Sequence, residues 1–140
     1  MDDIPFSKII KKKYSGDGDG EFEFHKIEFD NRMVLNISID GAMNFTFDIP
    51  LSKRIGQPII RADLATDPGV EPVLLMGDLK NVKMQVVATQ IGKMVLYNSG
   101  KPKNIILTIG SRWFGDGNQN TPEDFSKLMF VLDNVKSLVS

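Results

Sequence analysis

No cysteine occurs in the 140 residues of this chain. Disulfide frameworks, thiolate zinc sites, iron–sulfur clusters and cysteine nucleophiles are thereby excluded. Histidine occurs once, as His25. A multi-histidine metal site cannot be built, and any Ser–His pair would have to use that one ring. Charge of neither sign dominates: 17 Lys and Arg face 18 Asp and Glu, a formal net charge of −1. Such a balance calls for neither nucleic acid nor an anionic membrane as partner. No apolar run approaches the roughly 18 residues of a membrane-spanning helix. The start, Met1-Asp2-Asp3-Ile4-Pro5, has no basic segment ahead of an apolar one. A secretory signal is therefore not expected, and a cytoplasmic or nuclear location is.

The remaining composition is that of an ordinary globular domain, 41% apolar and 25% charged, with enough chain for one modest core. Residues 1–20 read as a flexible or loosely docked arm. Lys11-Lys12-Lys13 runs into Gly16-Asp17-Gly18-Asp19-Gly20, the chemistry of a solvated linker or turn. Residues 21–140 read as a single domain. Phe22 and Phe24 alternate with polar neighbours, and Met33, Leu35, Ile37 and Ile39 form the clearest period-2 run. Asp40-Gly41 suits a tight hairpin, and Phe45, Phe47 and Ile49 alternate again. Residues 21–50 are thus expected to form an antiparallel meander with one apolar and one polar face. Pro58–Ala62 is a candidate edge strand within a long connection over 51–71. Val73-Leu74-Leu75-Met76 fits a strand buried on both faces.

Residues 80–98 place Val82, Val86, Val87, Ile91, Met94 and Val95 on a helical stripe. Residues 104–109 form a strand. Thr121-Pro122-Glu123-Asp124 is the best helix start, and Phe125, Leu128, Met129, Leu132, Val135 and Val139 share one stripe behind it. Asn134 falls on the opposite, polar face. The expected class is α+β: a single, mostly antiparallel sheet of five or six strands, with two main helices packed on one face.

No catalytic, cofactor or metal constellation stands up. Starting a calcium loop at Asp17 puts Phe22 where glycine is needed, and starting at Ser15 puts Lys26 where the bidentate Glu belongs. The glycines of 16–20 alternate with aspartates, which would repel a phosphate. Gly115-Asp116-Gly117-Asn118 lacks a late Glu, and Gly110-Ser111-Arg112 is not a nucleophile elbow. Arg112-Trp113-Phe114 carries the only Trp in a glycine-rich loop, and Trp and Arg are the residue types most enriched in interface hot spots. Lys11 and Lys12 suit an acidic protein partner.

Several segments together resemble a known family. They are Leu74-Leu75-Met76-Gly77-Asp78, the helix after it, Lys101-Pro102-Lys103-Asn104, the strand Ile105–Ile109 and a last helix beginning near Phe125. This order over residues 72–138, with the strands of 33–50 upstream, resembles the proteasome assembly chaperone 4 family. That family supplies the smaller subunit of the heterodimeric pair formed with proteasome assembly chaperone 3. The resemblance implies a non-enzymatic chaperone, without cofactor, that pairs with its paralogous subunit and binds a proteasome α-subunit during 20S α-ring assembly. On that reading the polar sheet face, through Asn36, Ser38 and Thr46, meets the paralogue. The turn Arg112, Trp113 and Phe114, with Lys11 and Lys12, lies near the α-subunit. Replacing Trp113 and Phe114 by Ala is expected to weaken partner retention without unfolding the domain. The competing expectation is a longin-like or profilin-like interaction module of trafficking or signalling.

Overall fold

Alternation of apolar and polar residues is strongest at Arg32–Ile39, and this strand forms the middle of the sheet. The computed structural model describes residues 7–14, 20–51, 70–98, 103–115 and 119–139. Six strands, β1 (Ser7–Tyr14), β2 (Gly20–Glu28), β3 (Arg32–Ile39), β4 (Phe45–Ile49), β5 (Val73–Met76) and β6 (Asn104–Ile109), make one sheet in the order β1-β2-β3-β6-β4-β5. All neighbours pair antiparallel except β3 and β6, which run parallel. Two helices, α1 (Val82–Asn98) and α2 (Asp124–Val139), pack on one face of this sheet. The α+β class is as the sequence leads one to expect. Neither described helix is long and apolar enough to cross a membrane.

The meander departs from expectation at its third strand. Asp40 and Gly41 do form the tight turn, with φ of 52° and 81°, the left-handed conformation a two-residue hairpin requires. Ile39 and Ala42 exchange backbone hydrogen bonds of 3.1 and 3.0 Å across it. Beyond that bridge β3 and β4 separate, and β6 enters between them. Gly110 makes the insertion fit, since a Cβ there would lie 2.5 Å from the Ala42 carbonyl oxygen. Asn44 then holds the end of β6, its Oδ1 accepting from the Ser111 N–H and its Nδ2 donating to Ser111 Oγ, both at 2.9 Å.

Three further expectations change. Part of the supposed linker is strand: Ser7–Tyr14 pairs residue by residue with β2, and Lys8 Nζ donates to the Ser137 carbonyl at the end of α2, where a cation is favoured. β5 is an edge strand rather than one buried on both faces. Only β4 pairs with it, so Val73, Leu75 and Met76 remain exposed. Each helix is also turned from its predicted face. In α1 the buried positions are Met84, Val87, Ala88, Ile91, Gly92 and Val95, and Val82 and Val86 are exposed. In α2 Phe125 and Met129 are exposed. Asn134, expected on the polar face, is buried with its Nδ2 donating to the Phe130 carbonyl. Pro58–Ala62, Asp17 and Asp19, Gly100 and Asp116 to Asn118 lie outside the described residues.

Helix α2 starts two residues after the expected position. The Asp124 carboxylate accepts from the Thr121 N–H at 2.9 Å and from Thr121 Oγ at 2.8 Å, the back-reaching half of a capping box. It also pairs with Lys83 Nζ of α1 at 3.1 Å. Burial pushes the Asp124 carboxyl up. The Thr121 and Lys83 contacts outweigh it and hold the group below its ordinary value of 3.8. A carboxylate lowered on folding adds stability above its unfolded value and loses it as pH falls through the folded value. Asp124→Asn should therefore cost about 1 kcal/mol at neutral pH. Urea melts should show that difference shrinking below pH 4, where the wild-type carboxylate is itself protonated.

Candidate partner-binding surfaces

The two faces of the sheet differ in chemistry. One carries Phe22, Phe24, Met33, Leu35, Ile37, Ile39, Phe45, Phe47, Ile49, Ile105, Leu107 and Ile109, all buried in one cluster with both helices. Burying each such side chain contributes about 1.5–3 kcal/mol. The opposite face is covered by no described helix; its central side chains are half-buried, and those on the edge strands β1 and β5 are exposed. Strand register places Ile9, His25, Asn36, Thr108, Thr46 and Met76 in one row across it. A second row runs Ser7, Ile27, Val34, Ile106, Asp48 and Val73. Polar and apolar residues thus stand side by side at the centre. Lys11, Lys13, Glu21 and Glu23 lie at the β1–β2 margin, and Asp48 is a single carboxylate within the second row, between Ile106 and Val73. Asn36 and Thr46 flank Thr108 directly, so two of the three predicted sheet-face residues share one row. Ser38 lies in the next row, opposite Glu23.

His25 Nε2 lies 2.9 Å from Ser7 Oγ on this face, so the lone imidazole does have a hydroxyl partner. The pair sits at an exposed sheet margin. Its neighbours in register are Ile9, Ile27 and Asn36, none of which can act as the carboxylate that orients a catalytic imidazole.

The turn predicted as a binding loop is a core element. Arg112–Phe114 is one turn of 3₁₀-helix closed by Gly115 at φ 83°. Trp113 is only 8% exposed and Phe114 3%. The indole meets Phe22, Tyr14 and Phe114 edge-on, with ring centroids 4.6, 5.0 and 5.1 Å apart. Lys127 of α2 donates to the Trp113 carbonyl at 2.8 Å and holds its ammonium 5.1 Å from the ring centroid, a cation–π arrangement. Lys83 of α1 donates to the Phe114 carbonyl at 2.8 Å. Both helices thus hold the turn from outside while the aromatic cluster holds it from inside. Only Arg112 is exposed to solvent. Removing the two rings would unfold core packing, contrary to the expectation that the domain tolerates their loss.

Lys11 and Lys12 come together with Ser38 in a depression of about 510 Å³ that also includes Glu21, Glu23 and Asp40. Lys13 lies 3.7 Å from Glu21, and Lys11 stands opposite Glu23 in the ladder. The depression thus holds three carboxylates beside three lysines, and it is not a basic patch. Among the described residues no group of three or more His, Asp and Glu gathers as a metal site.

Sequence reasoning missed a second surface. A cavity of about 460 Å³ opens between the first turns of α1 and α2, lined by Val82, Val86, Val87, Phe114, Phe125 and Leu128, with Lys83, Asn120 and Asp124. Phe125 is 70% exposed and Val86 48%. The sequence signal was present but ambiguous: each helix has more apolar positions than one buried face can hold.

A family model described as 20S proteasome chaperone assembly proteins 3 and 4 matches residues 1–136. Among solved structures, a chain of the crystal structure of a novel chaperone complex for yeast 20S proteasome assembly is similar. It has a TM-score of 0.69 at 24% identity, over 96% of this chain and 98% of that one. At that identity the likeness shows the fold. The search of curated proteins returned no match.

Proposed function

The chain belongs to the family of 20S proteasome chaperone assembly proteins 3 and 4, and we propose that it acts as one half of a chaperone pair, joined to a paralogous subunit of the same fold through the open sheet face. Its role is in proteasome assembly and is non-enzymatic. The pair then holds a proteasome α-subunit while the α-ring of the 20S particle is built.

The uncharged centre of the open sheet face carries this reading. A sheet face made for water alternates Lys, Glu and Thr. Here Asn36, Thr108, Thr46, Val34 and Ile106 form an uncharged patch, adjoined by the one carboxylate of Asp48, with the lysines and glutamates further out. Depletion of charge at the centre and a polar rim mark the core of a protein–protein interface. A flat sheet face also suits a partner of the same fold, since two such faces stack about 10 Å apart with aligned strands. The yeast structure that this fold resembles is itself a chaperone complex, which supports a partnered state.

Native mass spectrometry of the protein isolated from its own cells at low salt tests the reading. The expected species is a 1:1 complex with a second small α+β chain, alone or with one proteasome α-subunit. A lone monomer, or a complex with a small GTPase or a membrane-coat component, would contradict it and favour a trafficking module.

A further inference from the structure

We infer that Asp48 is the residue by which the open sheet face selects its partner, and that the face covering it carries a basic side chain, arginine before lysine, aimed at this carboxylate. The inference rests on the pairing proposed above and names the chemistry that the paralogous subunit must bring.

Asp48 differs in kind from its surroundings. Strand register sets it between Ile106 of β6 and Val73 of β5, with Thr46 two residues before it on the same face. None of these three carries a charge. Among the described residues the Asp48 carboxylate has no ion-pair partner. The cations of this face stand elsewhere. Arg32 opens β3, two strands away, and Lys11 and Lys13 lie on β1, four strands away. Lys13 is 3.7 Å from Glu21, and Lys11 stands opposite Glu23 in the ladder. Each of those two glutamates thus has a lysine beside it, and Asp48 has none.

In the free domain water solvates this carboxylate. A subunit that covers the central patch removes that water, because Asp48 lies on an inner strand and adjoins Ile106 of the patch. Covering a carboxylate without a counter-charge weakens association by about a hundredfold or more. A cation on the covering face reverses that penalty. Reach suits it: stacked sheets stand about 10 Å apart, and a short aspartate from one with a long arginine or lysine from the other spans the gap. A guanidinium meets both carboxylate oxygens at once and is more weakly hydrated than an ammonium, so arginine is favoured. Interfaces are enriched in arginine and depleted in lysine. Val73, 53% exposed in the free domain, and Ile106 would flank the pair and exclude water from it.

The test titrates the purified paralogous subunit into wild type, Asp48→Asn and Asp48→Lys by calorimetry. Both variants should melt close to wild type, and Asp48→Asn carries the test alone if Asp48→Lys melts early. Asp48→Asn leaves the partner's cation without its counter-charge, and affinity should fall about tenfold or more. Asp48→Lys sets cation against cation, and the fall should be about a hundredfold or more. Each Arg and Lys on the sheet face of the paralogue is then changed to Glu in turn, and one such change should restore most of the affinity lost in Asp48→Lys. Unchanged or tighter binding by Asp48→Asn overturns the inference, since a carboxylate covered without a cation would be relieved by its removal. Failure of every paralogue substitution to rescue Asp48→Lys overturns it as well. So does a wild-type chain that pairs with its own copy as tightly as with the paralogue. The pairing face is tested separately by Thr108→Asp: if that variant loses affinity and Asp48→Asn does not, only the role of Asp48 fails. If Thr108→Asp binds the paralogue as wild type does, the pairing face itself fails and the role of Asp48 with it.

Discussion

Trp113→Ala should lower the stability of the domain by about 3–5 kcal/mol, the usual cost of truncating a large buried aromatic ring. The indole is the hub of an aromatic cluster drawn from four places in the chain. Tyr14 comes from β1, Phe22 from β2, Phe114 from the turn itself and Phe130 from α2. Removing it leaves a cavity between the sheet edge and α2 that these rings cannot all close. It also strips the Lys127 ammonium of its aromatic face. Domains of this size are stable by only about 5–15 kcal/mol, so the variant should lose a third or more of a typical margin. Urea melts followed by far-ultraviolet circular dichroism give the readout, because the fluorescent probe is lost with the residue. Arg112→Ala, on the same turn but exposed, should melt within about 0.5 kcal/mol of wild type. A Trp113→Ala protein as stable as wild type would mean that the ring does not organise this cluster.

The contrast between Arg112 and Trp113 shows what sequence alone can and cannot convey. Composition identifies both as residues that interfaces favour, and only the fold separates the one that faces water from the one that faces the core. The strands from Gly20 to Ile49 were legible because period-2 alternation is set locally. Their pairing was not, because nothing local says that β6 will enter between β3 and β4. That choice depends on Gly110 approaching Ala42 and on Asn44 bonding Ser111, contacts between residues 67 apart for the latter pair. The helices were legible as helices. Their rotation was not, because α1 has apolar residues at Val82 and Val86 as well as at Met84 and Ala88. A stripe that wide can be turned by a residue or two without spoiling its periodicity. Strand β1 was hidden by its lysines. Lys11 and Lys13 look like solvated linker until β2 supplies Glu23 and Glu21 opposite them. Edge strands are commonly protected by lysine in this way.

The same sheet that buries Trp113 on one side leaves the other side open, and the second large effect is expected there. Thr108 sits on β6 at the centre of the open face, between Asn36 of β3 and Thr46 of β4. Thr108→Asp is nearly isosteric and points away from the core. Its effect on the isolated domain should stay within the roughly 1 kcal/mol span of strand propensity. If the face is covered by a paralogous subunit, the new carboxylate is taken out of water with no cation beside it. Its nearest neighbours in register, Asn36 and Thr46, are uncharged. A buried unpaired charge costs about 3–5 kcal/mol, which is a loss of roughly 10² to several times 10³ in affinity. Thr46→Asp should do the same, and Glu23→Gln at the margin should change pairing little. Isothermal titration of the purified paralogous subunit into wild type and Thr108→Asp is the most direct measurement of the pairing face. We expect tight 1:1 binding to wild type and a loss of at least a hundredfold in the variant, whose thermal melt stays close to wild type. Equal affinity for both proteins would place the paralogue elsewhere and contradict the account.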